Sequence, residues 1–219
     1  MNKILLISMA LAGLLGFTTA YAEEFHATIN IDPAYYTSGS ATLPLQLDFQ
    51  LNSGGAAPVS NTVTLSGFSF VTADNLAPSF GTASLSGNVS GDLSAGVVSL
   101  NDAGSSYNEL FQSFSPDVTQ INFNIDTSTN INPAAADSFL VALLDSSAGF
   151  PQLATTDPLG VSLIALNIAN PLDANAYAST GTSSGAGFSA TIAAVPLPPS
   201  AWLFGSGLAA VAFRKRKSS

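Results

Sequence analysis

Fourteen acids, one histidine and no cysteine make up most of the reactive side chains in this 219-residue sequence. The five basic residues are Lys3, Arg214, Lys215, Arg216 and Lys217, so every position between Lys3 and Arg214 lacks Lys and Arg. A body without a cation cannot neutralise a phosphate backbone, which argues against nucleic acid as a partner. Without Cys there is no disulfide, thiol nucleophile or Cys-type zinc site. A Ser-His-Asp triad would have to use His26, and no G-x-S-x-G or other diagnostic spacing accompanies it. The sequence therefore reads as a non-enzyme with no assigned catalytic residue.

Two other kinds of chemistry remain open. Calcium takes six to eight oxygens from carboxylates and carbonyls, and Asp126-Thr127-Ser128-Thr129-Asn130 has oxygen side chains at alternate positions, like the opening of a calcium loop. Ile131 stands where an EF-hand needs Gly, so the run is not an EF-hand. Asp102 with Glu109, and Asp145 with Asp157, are looser carboxylate pairs. No metal ligand set is assigned, and calcium stays an open cofactor beside none at all. Sugar rings stack on aromatic side chains, and Tyr35-Tyr36, in a stretch bearing Pro, Ser and Gly, is the best candidate for a sugar contact. Ordinary packing of one ring at a loop edge explains the pair as well, and turn chemistry explains most of the acids, because Asp in turns bonds its own backbone.

The elements that must position these residues are strands. Phe25 to Ile31, Leu45 to Leu51, Val63 to Phe70 and Thr119 to Asp126 alternate apolar and polar residues, which puts one face in a core and the other in water. Shorter candidates are 84–90, 96–100, 138–144, 161–168 and 187–193. Clusters of Asn, Asp, Gly and Pro separate them, as at Asn52-Ser53-Gly54-Gly55 and Asp157-Pro158-Leu159-Gly160. Asn108 to Phe114 reads either as a short helical turn or as an irregular strand, and Pro133 to Asp137 can start a helical turn. The expected fold is all-β: an antiparallel β-sandwich or jelly-roll-like single domain over 23–194, about 170 residues, an ordinary domain size. An N-terminal signal helix and a short C-terminal apolar helix flank it.

Both flanks read as addresses. Residues 1–22 have a basic start at Lys3, an apolar run from Ile4 to Phe17 and the small-residue pattern Ala20-Tyr21-Ala22, the layout of a secretory signal peptide cleaved by signal peptidase before Glu23. The run is short for a spanning helix, which favours cleavage over a retained anchor. Residues 195–219 have three parts: the proline stretch Val195-Pro196-Leu197-Pro198-Pro199, an apolar segment from Ala201 to Phe213, and the basic stop Arg214-Lys215-Arg216-Lys217. The basic cluster belongs on the cytoplasmic side, and the membrane is met only through this segment.

This tail resembles the PEP-CTERM sorting signal of Gram-negative bacteria. The resemblance rests on Val195, Pro196 and Pro198, on Trp202 with Gly205 and Gly207, and on the basic end from Arg214 to Lys217. Pro196-Leu197-Pro198 stands where the usual motif is Pro-Glu-Pro. The resemblance implies processing by an exosortase, a transient inner-membrane stage, and delivery to the cell surface or extracellular matrix. The body, through stretches such as Leu47-Asp48-Phe49-Gln50-Leu51-Asn52 and Tyr107-Asn108-Glu109, is similar to a PEP-CTERM group without an assigned activity. The expected role is structural or adhesive. The alternative is a carbohydrate-binding module, in some form calcium-dependent, acting on exopolysaccharide.

Overall fold

Strict alternation becomes strand wherever it occurs. The computed structural model describes residues 22–37, 43–55, 60–130, 136–147, 152–169, 172–180 and 187–196. Both expected flanking helices and the Pro133 turn start lie outside these residues, apart from Ala22, Val195 and Pro196 of the flanks and Ala136 and Asp137 of the turn. The chain runs β1 (Ala22–Ile31), a one-turn helix α1 (Pro33–Thr37), β2 (Gln46–Asn52), β3 (Thr62–Thr72), β4 (Ser84–Ser86), β5 (Val89–Asp92), β6 (Val97–Asn101), β7 (Tyr107–Ser113), β8 (Val118–Ser128), β9 (Asp137–Leu144), β10 (Ile164–Ile168), β11 (Asp173–Ala176) and β12 (Phe188–Ala194). The strands form two antiparallel six-stranded sheets, ordered β12-β1-β8-β3-β6-β5 and β11-β10-β9-β2-β7-β4.

One apolar core lies between the sheets. Ala27, Ile29 and Ile31 of β1 and Ile121, Phe123 and Ile125 of β8 face Leu47, Phe49 and Leu51 of β2 and Phe139, Val141 and Leu143 of β9. Phe49 meets Phe123 edge to face across it, with centroids 5.8 Å apart. The β3 run hides a slip of phase, because Val63 and Leu65 are odd positions and Phe68 and Phe70 even ones. A bulge at Gly67-Phe68 opposite Phe123 absorbs the slip, with Gly67 at φ +64°. The extra residue returns Phe68 to the core, where it stacks on Phe123 at 5.3 Å.

One open reading is decided and two expected strands come out differently. Asn108 to Phe114 is a strand, β7, whose inward face carries Leu110 flanked by two amides, Asn108 and Gln112. These amides hold the two ends of β5, which follows the crossing from β4 in one sheet to β5 in the other. Asn108 Oδ1 accepts from the Asn88 amide at 2.7 Å, and Gln112 Oε1 accepts from the Leu93 amide at 2.8 Å. That crossing splits the expected 84–90 strand in two. The 161–168 strand starts only at Ile164, because Ser162 is tied to Thr155 and Asp157. β11 carries only small and polar residues, Asp-Ala-Asn-Ala, and had no periodic signal to find.

Glycine is required where β5 meets β6. Gly91 has φ +88°, and a Cβ there would collide with the Val97 carbonyl. Gly91→Ala should cost about 2 kcal/mol or more from left-handed strain and displacement of β6. Gly96→Ala, where open space surrounds the same kind of φ, should cost only the strain. Urea melts of both variants check this, and equal losses would refute the assigned clash.

The two ends of the body meet. Phe25 pairs with Ala194, and the Val195 amide donates to the Glu24 carbonyl at 2.8 Å. The segments before β1 and after β12 therefore leave from the same end. α1, Gly187 and the Ile31 end of β1 lie at the other.

Candidate functional site

The expected sugar pair does not form an open platform. Proline and the Asp32 cap, which accepts from the Ala34 amide at 2.8 Å, set Tyr35 and Tyr36 on α1 rather than in a loop. Tyr35 is buried, edge-on to Phe188 at 5.4 Å. Tyr36 is partly buried and donates its hydroxyl to the Val118 carbonyl at 2.7 Å. Burial, with Asp117 nearby, pushes the Tyr36 phenol well above its ordinary value. Tyr35 is thus corrected from a sugar contact to a core residue, and the two rings pin α1 to β8 and β12.

His26 is on the outward face of β1, with Nδ1 3.0 Å from Asn124 Oδ1. Thr28 donates to Asn122 at 2.8 Å and Gln120 donates to Asn30 at 2.9 Å along the same face. This ladder of amides and hydroxyls offers no nucleophile–base pair. The Asp126–Asn130 run is mostly β8 and not a loop, so Asp126 points outward and Thr127 into the interior. Among the described residues no three His, Asp or Glu side chains converge as a metal group.

The acids that do meet are not the pairs expected. Asp102 comes together with Asp137, not with Glu109. Buried Asn61 lies between them: its backbone amide donates to Asp102 Oδ1 and its side-chain amide to Asp137 Oδ2, both at 2.6 Å. The Gly54 amide caps Asp137 Oδ1 at 2.8 Å. Asp102 Oδ2 is buried without a hydrogen-bond donor. Burial foremost, and the neighbouring Asp137 carboxyl against the opposing Asn61 amide, push Asp102 up to about 6. Asp145 and Asp157 each bond backbone of their own turns, at Ser147 and Ser162.

A second acid cluster was not anticipated. Alternation puts Asp48 on the outer face of β2, where a solvated side chain is the ordinary outcome, yet it is only 1% exposed. Phe111 and Ala142 are its neighbours in register. Asp48 Oδ2 accepts from Gln50 Nε2 at 2.6 Å and from Gln152 Nε2 at 3.4 Å, and Oδ1 has no partner. Gln50 also reaches Glu109 at 3.2 Å, and the Tyr107 hydroxyl donates to that same Glu109 oxygen. Burial first and the Glu109 charge second push Asp48 up to about 7, against the two glutamine amides. A raised acid beside a second carboxylate is the electrostatic arrangement of a general acid and its partner. A general acid must touch its substrate, however, and Asp48 is sealed in. The cluster holds a proton inside the fold. Glutamines at 46 and 50 flanking an acid in an apolar run were the available signal.

A hollow among the described residues lies elsewhere. About 590 Å³ of open space lies between the ends of β1 and β12 and the start of β8, at the end far from both chain exits. Asn30, Asp32, Gln120 and Ser189 line it with polar atoms, and Pro33 and Val71 with apolar ones.

Of the residues expected to direct processing, Ala22 begins β1, and Val195 and Pro196 follow β12. Ala20, Pro198, Trp202, Gly205, Gly207 and Arg214 to Lys217 lie outside the described residues. No protein-family model, curated protein or solved structure matches the chain.

Proposed function

We propose that this is an exported, exosortase-processed β-sandwich protein with a structural or adhesive, non-enzymatic role at the cell surface or in the extracellular matrix. The observation that supports this best is the Val195–Glu24 hydrogen bond joining the two chain exits at one end. A leader and a membrane-stop tail leaving from one end put the opposite end and the outer faces away from the membrane. The chemistry of the body agrees, since several of its acids are tethered to backbone or buried and the outward face of β1 and β8 carries a ladder of amides and hydroxyls. The all-acidic charge keeps such a body soluble and apart from polyanions.

Mass spectrometry of the protein from its producing cells tests the reading. The expected product starts at Glu23 and has lost Arg214 to Lys217, and Pro196→Ala with Pro198→Ala should leave the tail attached and the protein in the inner membrane. An exported product with its tail intact, or normal processing of the double variant, would overturn it. The second reading, a carbohydrate-binding module, gains support from the polar hollow at the far end.

A further inference from the structure

We infer that the hollow between β1, β12 and β8 is a binding site for a neutral saccharide segment. This rests on the carbohydrate-binding reading and gives it a place, since the tyrosines first considered for it are packing residues. The site has the polar atoms a sugar's neighbouring hydroxyls need. Asn30 Oδ1 is held by Gln120 at 2.9 Å, which fixes the amide and leaves its Nδ2 to donate outward. Asp32 spends Oδ1 on the Ala34 amide, which leaves Oδ2 to accept from a hydroxyl. The Ser189 hydroxyl, on the same wall, can do either. Pro33 and Val71, the latter 44% exposed, supply apolar surface for the C–H face of a ring.

Charge selects the ligand class. Asp32 is the only acidic side chain lining the hollow among the described residues, and no Lys or Arg occurs from residue 4 to residue 213. A uronic or sulfated polymer would meet an uncompensated carboxylate, whereas a neutral ring would meet a charge-assisted acceptor, the stronger kind of hydrogen bond. Position also fits, because the hollow opens at the end opposite both chain exits.

The test uses the full chain in mild detergent, titrated with neutral gluco-, manno- and galacto-hexaoses, with oligogalacturonate as the acidic comparison. The readouts are amide NMR shifts and calorimetric affinity. At least one neutral hexaose should shift the side-chain amides of Asn30 and Gln120, and oligogalacturonate should not. Asp32→Asn keeps the α1 cap, because Asn caps as well as Asp, but it removes the charged acceptor and should weaken binding about tenfold or more. Ser189→Ala, beside Asn30 on the neighbouring strand, should weaken it to a lesser degree with an unchanged melting temperature. No neutral hexaose shifting these amides, shifts confined to other surfaces, or unchanged affinity in Asp32→Asn would overturn the site. Surface attachment by cells lacking the protein reports separately. A deletion phenotype that Asp32→Asn fully rescues means the adhesive reading stands and this site falls, and no deletion phenotype removes the adhesive reading itself.

Discussion

Melting temperature is expected to fall as pH rises from 4 to 8, and Asp48→Asn to remove most of that fall. Most proteins lose stability toward acid because their carboxylates are held ionised in the fold. Here the sign is reversed. Asp48 is raised from 3.8 to about 7 by burial and by Glu109, so the fold keeps a proton that the unfolded chain releases. Its contribution is fully present below pH 3.8, the unfolded value, and is lost as pH climbs through about 7. A shift of about three units at 1.36 kcal/mol each is on the order of 4 kcal/mol. For a body of this size that is roughly 10 °C in melting temperature. Asp102, raised to about 6 by burial and Asp137, adds to the same slope in the same direction. Asparagine in place of Asp48 keeps an oxygen for Gln50 and carries no charge at any pH. The variant should melt higher than the natural chain at pH 8 and nearly level with it at pH 4. Parallel pH profiles for the two proteins would show that Asp48 is not the stored proton.

Asn61→Ala is expected to be the most damaging single truncation of a polar side chain, at about 3–5 kcal/mol. The Asn61 side chain donates to Asp137 at 2.6 Å and to the Asn130 carbonyl at 3.0 Å. It accepts from the Asn130 amide at 2.8 Å and the Ser128 hydroxyl at 3.1 Å. Asn61 itself is 0% exposed, so water cannot take its place without opening the structure. Alanine would leave Asp137 buried with one donor fewer, beside Asp102, whose Oδ2 already lacks one. The loss should be larger at pH 8 than at pH 5, because the acid pair then carries more charge with less to hold it. Chemical denaturation at both pH values measures this. A loss near 1 kcal/mol, typical of one ordinary hydrogen bond, would mean the cluster rearranges freely and is not a fixed clasp.

The β character was legible because burial in a two-sheet body demands period two, and Leu45 to Leu51 or Thr119 to Asp126 satisfy it residue by residue. β7 was ambiguous for a physical reason. Its inward face mixes Leu110 with Asn108 and Gln112, and those amides are inside because the backbone at the two ends of β5 needs their hydrogen bonds. β11 was invisible since Asp-Ala-Asn-Ala buries almost nothing, and it is a strand only through pairing with β10.

The candidate sites divide the same way. Composition alone determined that the body is acidic, lacks cations and thiols, and has one histidine, and these follow from residue counts that no folding can change. Local alternation determined which faces of most strands turn inward. Which acids meet was decided by the tertiary structure: Asp102 and Asp137 are far apart along the chain and meet around Asn61, and Asp48 is buried because Phe111, Ala142 and Gln152 arrive from other strands and a distant loop. Tyr35 became core because α1 folds back on Phe188, and the hollow exists because β1, β8 and β12 end together. Such encounters depend on contacts between residues remote in sequence, and no local pattern encodes them.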